Sequence, residues 1–486
     1  MQTSERVAVV GSGMAGLTVA CLLAKAGKDV DLIEQNWIAG GCTTTYPRKG
    51  FWFESGATTL VGLDEGMPLA ILLNELGLDL SAQRLETPMK VYLDGQIITR
   101  YQELDDWIAE AERVFGKPNQ RAFWEHCFRI SQQVWQISGQ QRAFPPQNLR
   151  DLVDLALHFK PKQVLAIPHA FETVSACLKR FHLDQNEAFC RFVDEQLIIT
   201  AQNKRNEVNM LFGATALCYT NFGNYYMPGG MAGLVNKLTD YFQAKGGRLM
   251  LRSRVTAIAP HQSQVSLVLG DEKINYATVV SSIPLNNLHH LLLESEAKRI
   301  ITSKLLPSTK LSSALQLGIG FRPHRAFECL HHQIHLEEPL AGTQTHSIFI
   351  SLHPADDQLR AAAGQMAMSV STHWPDPQHN RIENRELAEK QILDALEAHD
   401  FLKREHIVYL HSSGPKSWEK WTGRQWGFVG GYPQFNDIKP WQMMGARLQK
   451  GKLYVCGDTT YPGQGIPGAV LSGLIAFHKM KLDGLL

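Results

Sequence analysis

Long apolar runs are missing from this 486-residue chain. Stretches such as Val7 to Val10 and Leu453 to Cys456 fall far short of the roughly 18 residues that span a bilayer, which argues against integral insertion. The opening Met1-Gln2-Thr3-Ser4-Glu5-Arg6 lacks the basic start, apolar stretch and small-residue cleavage site of a secretory signal, so a cytoplasmic location is expected. Cysteine is sparse. The eight residues (Cys21, Cys42, Cys127, Cys177, Cys190, Cys218, Cys329 and Cys456) form no C-x-x-C pair, and several sit in apolar patterns, as reduced, mostly buried thiols do. Charge of either sign is not in excess: 48 Lys and Arg oppose 47 Asp and Glu, for a net +1, so no global field recruits nucleic acid or another acidic partner. Repeats, low-complexity tracts and a G-x-S-x-G nucleophile elbow are likewise missing. His331-His332-Gln333-Ile334-His335 reads as part of a strand with no acidic partner, and no metal site is expected there.

What remains is an ordinary globular composition, 44% hydrophobic and 20% charged, on a chain long enough for about two or three domains. The first element is the most informative. Val7-Ala8-Val9-Val10 is a continuous apolar run, as a strand buried on both faces requires, and it leads into Gly11-Ser12-Gly13-Met14-Ala15-Gly16. In this G-x-G-x-x-G turn Gly11 permits the tight bend, Gly13 lets the backbone approach a pyrophosphate, and Gly16 lets the next helix pack against the strand. That helix carries Leu17, Ala20, Cys21 and Ala24 at helical spacing and stops at Gly27. A second strand, Val30 to Ile33, ends on Glu34, where a carboxylate can hold a ribose 2′-hydroxyl and would repel a 2′-phosphate. The pattern predicts a dinucleotide site for NAD or FAD and disfavours NADP.

Two further segments bear on that choice. Gln35 is followed by Gly40-Gly41-Cys42-Thr43-Thr44 and then Phe53-Glu54-Ser55-Gly56-Ala57-Thr58. Near the other end, Leu453 to Cys456 reads as a strand running into Gly457-Asp458, and Pro462-Gly463-Gln464-Gly465-Ile466-Pro467-Gly468 opens a helix rich in small residues. Pro467 suits a first helical turn, and the free N–H groups near Ile466 and Gly468 would favour negative charge beside them. Gly229-Gly230-Met231-Ala232-Gly233 follows Tyr225-Tyr226-Met227-Pro228 and no apolar strand, so it reads as the start of a helix; without a second dinucleotide module, NAD(P)H is not expected as routine electron partner.

Together these segments resemble the FAD-dependent amine oxidase and phytoene desaturase superfamily. The resemblance implies an α/β fold: a discontinuous Rossmann-like FAD-binding domain of glutathione-reductase type with an inserted α+β substrate domain. It places Gly40, Gly41, Cys42 and Thr43, with Gly56, Ala57 and Thr58, along the pyrophosphate and flavin. Gly457 and Asp458 would hold pyrophosphate and ribitol, Gly465, Ile466 and Pro467 the isoalloxazine, and the backbone of Val255 the adenine. The segment Gly247 to Ile258 matches a third family strand. Glu54 stands where the family usually carries Asp.

Within the superfamily the chain is most similar to carotenoid desaturases and isomerases, especially the bacterial C-3′,4′ desaturase type, through Gly41 to Thr45, Phe53 to Thr58, Trp421 to Gly431 and Tyr461 to Gly465. That implies a hydride passing from a polyene hydrocarbon or its hydroxylated derivative to flavin N5, and a proton leaving the neighbouring carbon. Oxygen, a quinone or another acceptor would take the electrons. Cis–trans isomerisation, saturation of a double bond, and amine or amino-acid oxidation are the alternatives on this scaffold. No residue is nominated as proton acceptor, since for Tyr225, Tyr226 and Arg424 a packing role fits equally well. The expected division is 1–75, 222–290 and 415–486 for the FAD domain, with 76–221 and 291–414 for the substrate domain. A hairpin at Val91 to Ile98, strands at Ser347 to Leu352 and Met366 to Ser371, and an amphipathic helix over Arg385 to His399 are predicted in the latter. Leu152, Leu155, Phe159, Val164, Leu165 and Ile167, with Lys160, Lys162 and Lys179, form a candidate peripheral membrane contact in a helix pair joined at Pro161.

Overall fold

The computed structural model describes residues 6–380 and 385–486. Two large sheets organise them. In chain order their strands are β1 (Val7–Val10), β2 (Val30–Ile33), β3 (Met89–Leu93), β4 (Gln96–Arg100), β5 (Arg248–Met250), β6 (Thr278–Ser281), β7 (Ser312–Phe321), β8 (His331–His335), β9 (Ser347–Ser351), β10 (Met366–Pro375), β11 (Ile407–Ser413), β12 (Arg447–Gln449) and β13 (Leu453–Val455). The helices that matter here are α1 (Met14–Lys25), α2 (Gln120–Gln140), α3 (Leu149–Leu157), α4 (Glu187–Ala201), α5 (Met210–Leu217), α6 (Ala232–Ala244), α7 (Pro415–Thr422) and α8 (Gly465–Leu482).

The first sheet has the order β5-β2-β1-β6-β13-β12 and is parallel except at β12. β1 lies between β2 and β6 with every residue buried, which is why its sequence is apolar throughout instead of alternating. Helix α1 is buried from Met14 to Ala24 because α8 and α6 also pack on it. The approach is close: a Cβ at Gly473 of α8 would lie 2.8 Å from the Ala15 carbonyl oxygen.

The second sheet has the order β11-β7-β10-β9-β8-β3-β4, antiparallel apart from the β8–β3 pair. The predicted hairpin is β3–β4, turning at Asp94 and Gly95 with φ of 49° and 72°, as a two-residue type I′ turn requires. The helices beside this sheet enclose an aromatic core that includes Trp107, Trp124, Phe189 and Phe192. A small sheet joins segments expected on opposite sides of the domain division, since Leu60–Val61 and Gln83–Arg84 both pair with Asn224–Tyr226.

The stretch 247–258 is not one strand. It divides into β5, in the parallel sheet, and Val255–Pro260, in a separate three-stranded sheet, with a turn at Arg252 (φ 55°) between them. Arg252 N and Ser253 N donate to Asn36 O and Glu34 O, so the turn is held by the end of β2 and not by its own sequence. Glu272–Tyr276 and β6, next in the chain, likewise fall in different sheets. β10 extends four residues beyond the expected Ser371, and the expected helix pair at 152–171 is α3 followed by a 3₁₀ segment, Pro161–Ala170, with Pro168 inside it.

Glu54 has a local explanation. Its buried carboxylate accepts from Thr45 Oγ1 (3.0 Å), Arg360 Nη1 (2.7 Å) and the backbone N of Met231 (3.3 Å), tying the 45–54 hairpin to the start of α6.

Candidate active site

A cavity of about 690 Å³ opens at the carboxyl end of β1 and β2 and continues between the second sheet and helices α2, α4 and α5. Its nucleotide end is the β1–α1 turn. Gly11 has φ 96°, a conformation that favours glycine. A Cβ on Gly16 would sit 2.0 Å from the Gly11 carbonyl oxygen, so only glycine lets α1 start there. Gly13 is the opposite case: a Cβ there would meet no atom within 4 Å, and the first turn of α1 opens onto that space. Glu34 closes the corner, its carboxylate accepting from Ser12 N (3.0 Å), Ser12 Oγ (2.7 Å) and Asn36 N (2.8 Å).

The C-terminal segment meets this corner from the other side. Gly457 (φ 123°) donates its N–H to Ser472 Oγ at 2.7 Å, which holds the β13 end against α8. Asp458 pairs with Arg424 at 2.5 Å. Burial by itself would lower the Arg424 pKa; the carboxylate of Asp458 beside it outweighs that and keeps the guanidinium charged. Cys42 lies at the same wall, and burial pushes its thiol pKa up. α8 begins at Gly465 (φ 78°), with the Gln464 side chain donating to Thr200 O of α4.

Ser12, Met14 and Ala15, Gln35, the segments Gly40 to Thr43 and Gly56 to Thr58, Val255, Gly457-Asp458 and Gly465 to Pro467 all line this one cavity, as do Gly11, Gly13 and Glu34. Gly16 does not; it sits behind the turn. Gln35 serves partly as a strut, donating to Thr422 O at 3.0 Å at the end of α7. Ser282 and Asn287 also line the cavity and were not expected there; Arg424, weighed from the sequence as proton acceptor or packing residue, lines it too. The Thr-Gly-Arg segment was a visible signal for Arg424, but its link to Asp458 spans 34 residues and is made only by folding.

Beyond the nucleotide end the two walls differ. The helix wall offers Trp135, Ile198, Ile199 and Phe212 with Ser138, Thr200 and Thr215 among them, and the sheet wall offers Gln316, Gln333, Ser347, Ser351, Ser369 and Ser371 with Ala314 and Phe349. Among the described lining residues the only carboxylates are Glu34 and Asp458, both at the nucleotide end. Tyr226 is turned away to Asp357 (2.5 Å) and Tyr225 to Asp64 (3.4 Å).

A family model for flavin containing amine oxidoreductases matches residues 14–476. The chain belongs to this family. It is 25% identical over 510 residues to prolycopene isomerase 2, chloroplastic, of an Oncidium hybrid cultivar, covering 98% of this chain and 83% of that protein. It is 22% identical over 496 residues to a 4,4′-diapophytoene desaturase (4,4′-diapolycopene-forming) of Methylomonas sp, covering 96% and 93%. The fold is shared with cyclohexylamine oxidase of Brevibacterium oxydans, with a TM-score of 0.64, 13% identity and 99% of each chain covered.

The cofactor of this flavin-containing family member is FAD, and the cavity fits a dinucleotide. The space beside Gly13 is free, helix starts at both α1 and α8 open onto the cavity, and a carboxylate stands at the end of β2. Two side-chain clusters elsewhere invite a metal reading. His331 to His335 form β8, and burial depresses the pKa of His331 to about 3. His126, Glu172 and Cys177 lie close together, but the Arg180 guanidinium donates to all three.

Proposed function

We propose that this flavoenzyme forms a carbon–carbon double bond in a carotenoid or related polyene. The observation that carries the reading is the cavity itself: one continuous space joins the nucleotide turn to an aromatic and aliphatic helix wall with no carboxylate for an ammonium group. The two carotenoid-named relatives point the same way.

In this reading Gly11 to Ala15 cradle the pyrophosphate and Glu34 holds the adenosine ribose. Val255 lies by the adenine, Gly40 to Thr43 and Gly56 to Thr58 flank the flavin, and Arg424 positions Asp458 at the ribitol. FAD supplies the two-electron acceptor. The chain binds and orients the polyene, excludes water, and favours negative charge through the free N–H groups at the start of α8. The segments 1–75, 222–290 and 415–486 act as the cofactor domain, and oxygen or a quinone takes the electrons away.

The polyene reaches the cavity from a lipid surface. Leu149 and Leu157 are 75% and 78% exposed, and Leu152, Phe159, Val164, Leu165, Ile167 and Phe171 are exposed beside them, with Lys160 and Lys162 among them and Lys439 against the Phe171 ring. Leu155 is half-buried and lies outside this patch. The segment packs on α2, whose Trp135 lines the cavity, so anionic headgroups and acyl chains are the occupants that match its chemistry.

Anaerobic incubation of the FAD-loaded protein with a carotenoid panel, with and without a quinone, tests the reaction. Loss of two hydrogens with a red-shifted product spectrum is expected. Unchanged mass with altered retention would establish isomerisation instead, and bleaching by an amine with polyenes untouched would overturn the substrate class.

A further inference from the structure

Outside the cavity, metal-ligating side chains converge where the short helix Val174–Arg180 meets α2. His126 Nε2 from α2, the Glu172 carboxylate and Cys177 Sγ lie within 4.8 Å of one another. The Cys177 thiol is buried, while His126 and Glu172 are half-buried. All three accept from one side chain. Arg180 Nε donates to Glu172 Oε1 (2.9 Å), and Arg180 Nη2 faces His126 Nε2 (2.9 Å), Glu172 Oε2 (3.0 Å) and Cys177 Sγ (3.4 Å).

That nitrogen is over-subscribed. A guanidinium Nη carries two hydrogens, so Nη2 cannot give each of its three acceptors a well-directed bond. A fourth ligand atom has no hydrogen-bond partner at all: His169 Nδ1, near the end of the 3₁₀ segment, is enclosed and stands 3.8 Å from Glu172 Oε2, beyond hydrogen-bond reach. The His169 and His126 rings meet edge-on with centroids 5.3 Å apart, which places His169 beside the other three. Two imidazoles, a thiol and a carboxylate suit zinc, and a spherical dication can serve all four where a planar fork cannot. Arg180 can give way, because its side chain is 48% exposed and ion pairs so open to water hold weakly.

We infer that His126, His169, Glu172 and Cys177 form a structural zinc site, in which the ion replaces the Arg180 guanidinium as their common cation. On binding, the Cys177 thiol releases its proton to solvent and Arg180 swings outwards. The resulting thiolate and the Glu172 carboxylate balance the two charges of the ion, so the half-buried site is neutral. Four protein ligands leave no open position, which suits a structural ion and not a catalytic one. The ion fastens the end of the 3₁₀ segment to α2, whose Trp135 lines the cavity, and it does so whatever substrate the cavity takes.

The FAD-loaded protein, freed of metal with a chelator, can be titrated with Co²⁺ as the spectroscopic probe and then with Zn²⁺. Stoichiometric Co²⁺ should give the visible bands of a four-coordinate ion, to the red of the flavin, and a near-ultraviolet thiolate-to-metal band. Stoichiometric Zn²⁺ should abolish both and raise the melting temperature. Cys177→Ser should lose the near-ultraviolet band and bind zinc at least about a hundredfold more weakly, since even outer-shell partners are worth roughly 10–100-fold. His126→Ala, at a half-buried position, should weaken zinc binding likewise while keeping the flavin content of the wild type. Arg180→Ala removes the competing cation and should bind zinc several-fold more tightly. Absence of the cobalt bands in the wild type, a spectrum unchanged by Cys177→Ser and His126→Ala, or weaker zinc binding by Arg180→Ala would each overturn the site.

Discussion

The glycines of the β1–α1 turn are alike in sequence and opposite in consequence. A side chain at Gly16 collides with the Gly11 carbonyl oxygen, whereas one at Gly13 enters open space at an ordinary φ of −64°. Gly16→Val should therefore destabilise the fold itself, by about 1–3 kcal/mol or more, the scale of overpacking a tight contact. Gly13→Val should fold with a melting temperature near that of the apoprotein and carry no flavin. Flavin absorbance and thermal unfolding, measured on both variants, check the contrast; a yellow Gly13→Val protein would refute the placement of the pyrophosphate. Arg424 makes a second case. Removing its charge leaves the largely buried Asp458 unpaired, so Arg424→Gln should cost about 3 kcal/mol of holoprotein stability, and Arg424→Lys less. Denaturant unfolding of the two variants measures this, and a shifted flavin absorption band in Gln but not Lys would mark positioning beyond simple packing.

At the scale of elements, β1, α1 and β2 were legible because each is dictated locally: an apolar run, a glycine turn, a helical period and a terminal acid. The β3–β4 hairpin was equally plain from Asp94-Gly95. The division of 247–258 was not, because Arg252 turns where the β2 end supplies its hydrogen-bond acceptors, and those residues lie more than two hundred positions away. The 3₁₀ form of Pro161–Ala170 escaped for a different reason: apart from Ala166 and Ala170 its side chains are exposed or half-buried, so little burial pattern constrained the reading. That exposure makes the segment testable. Flotation with anionic liposomes at low salt should carry the wild type upwards, and Leu157→Asp with Leu165→Asp should abolish it, since each buried side chain contributes about 1.5–3 kcal/mol. Equal flotation of wild type and double variant would exclude this surface.

For the molecule as a whole, acid sensitivity follows from histidines that folding encloses. Burial lowers His331 and His335 to about 3, and His332 and His353 to about 4, from an ordinary value of 6.5. Between pH about 6.5 and about 4 the unfolded chain binds protons that the folded chain excludes. The stability linked to these groups is therefore fully present above pH 6.5 and is lost as pH falls towards 4 for His332 and His353 and towards 3 for His331 and His335. Denaturation midpoints across that range should decline steadily, and the decline should shrink in His353→Gln; a flat profile would contradict the burial of these rings.

The sequence by itself determined the dinucleotide unit, the family and the cavity-lining stretches at both ends of the chain, because a phosphate-binding turn is built from backbone geometry that only particular residues permit. The tertiary structure alone decided which distant groups meet. Arg424 reaches Asp458, Arg360 reaches Glu54, and the Ser369 hydroxyl of β10 is left without a partner while Ser347 and Ser351 of β9 find theirs. Strand alternation says which residues share a face, but not whether that face meets a helix, a carboxylate or open space. Satisfaction of a polar group depends on what stands opposite it, and that is fixed only when the sheets close around the cavity.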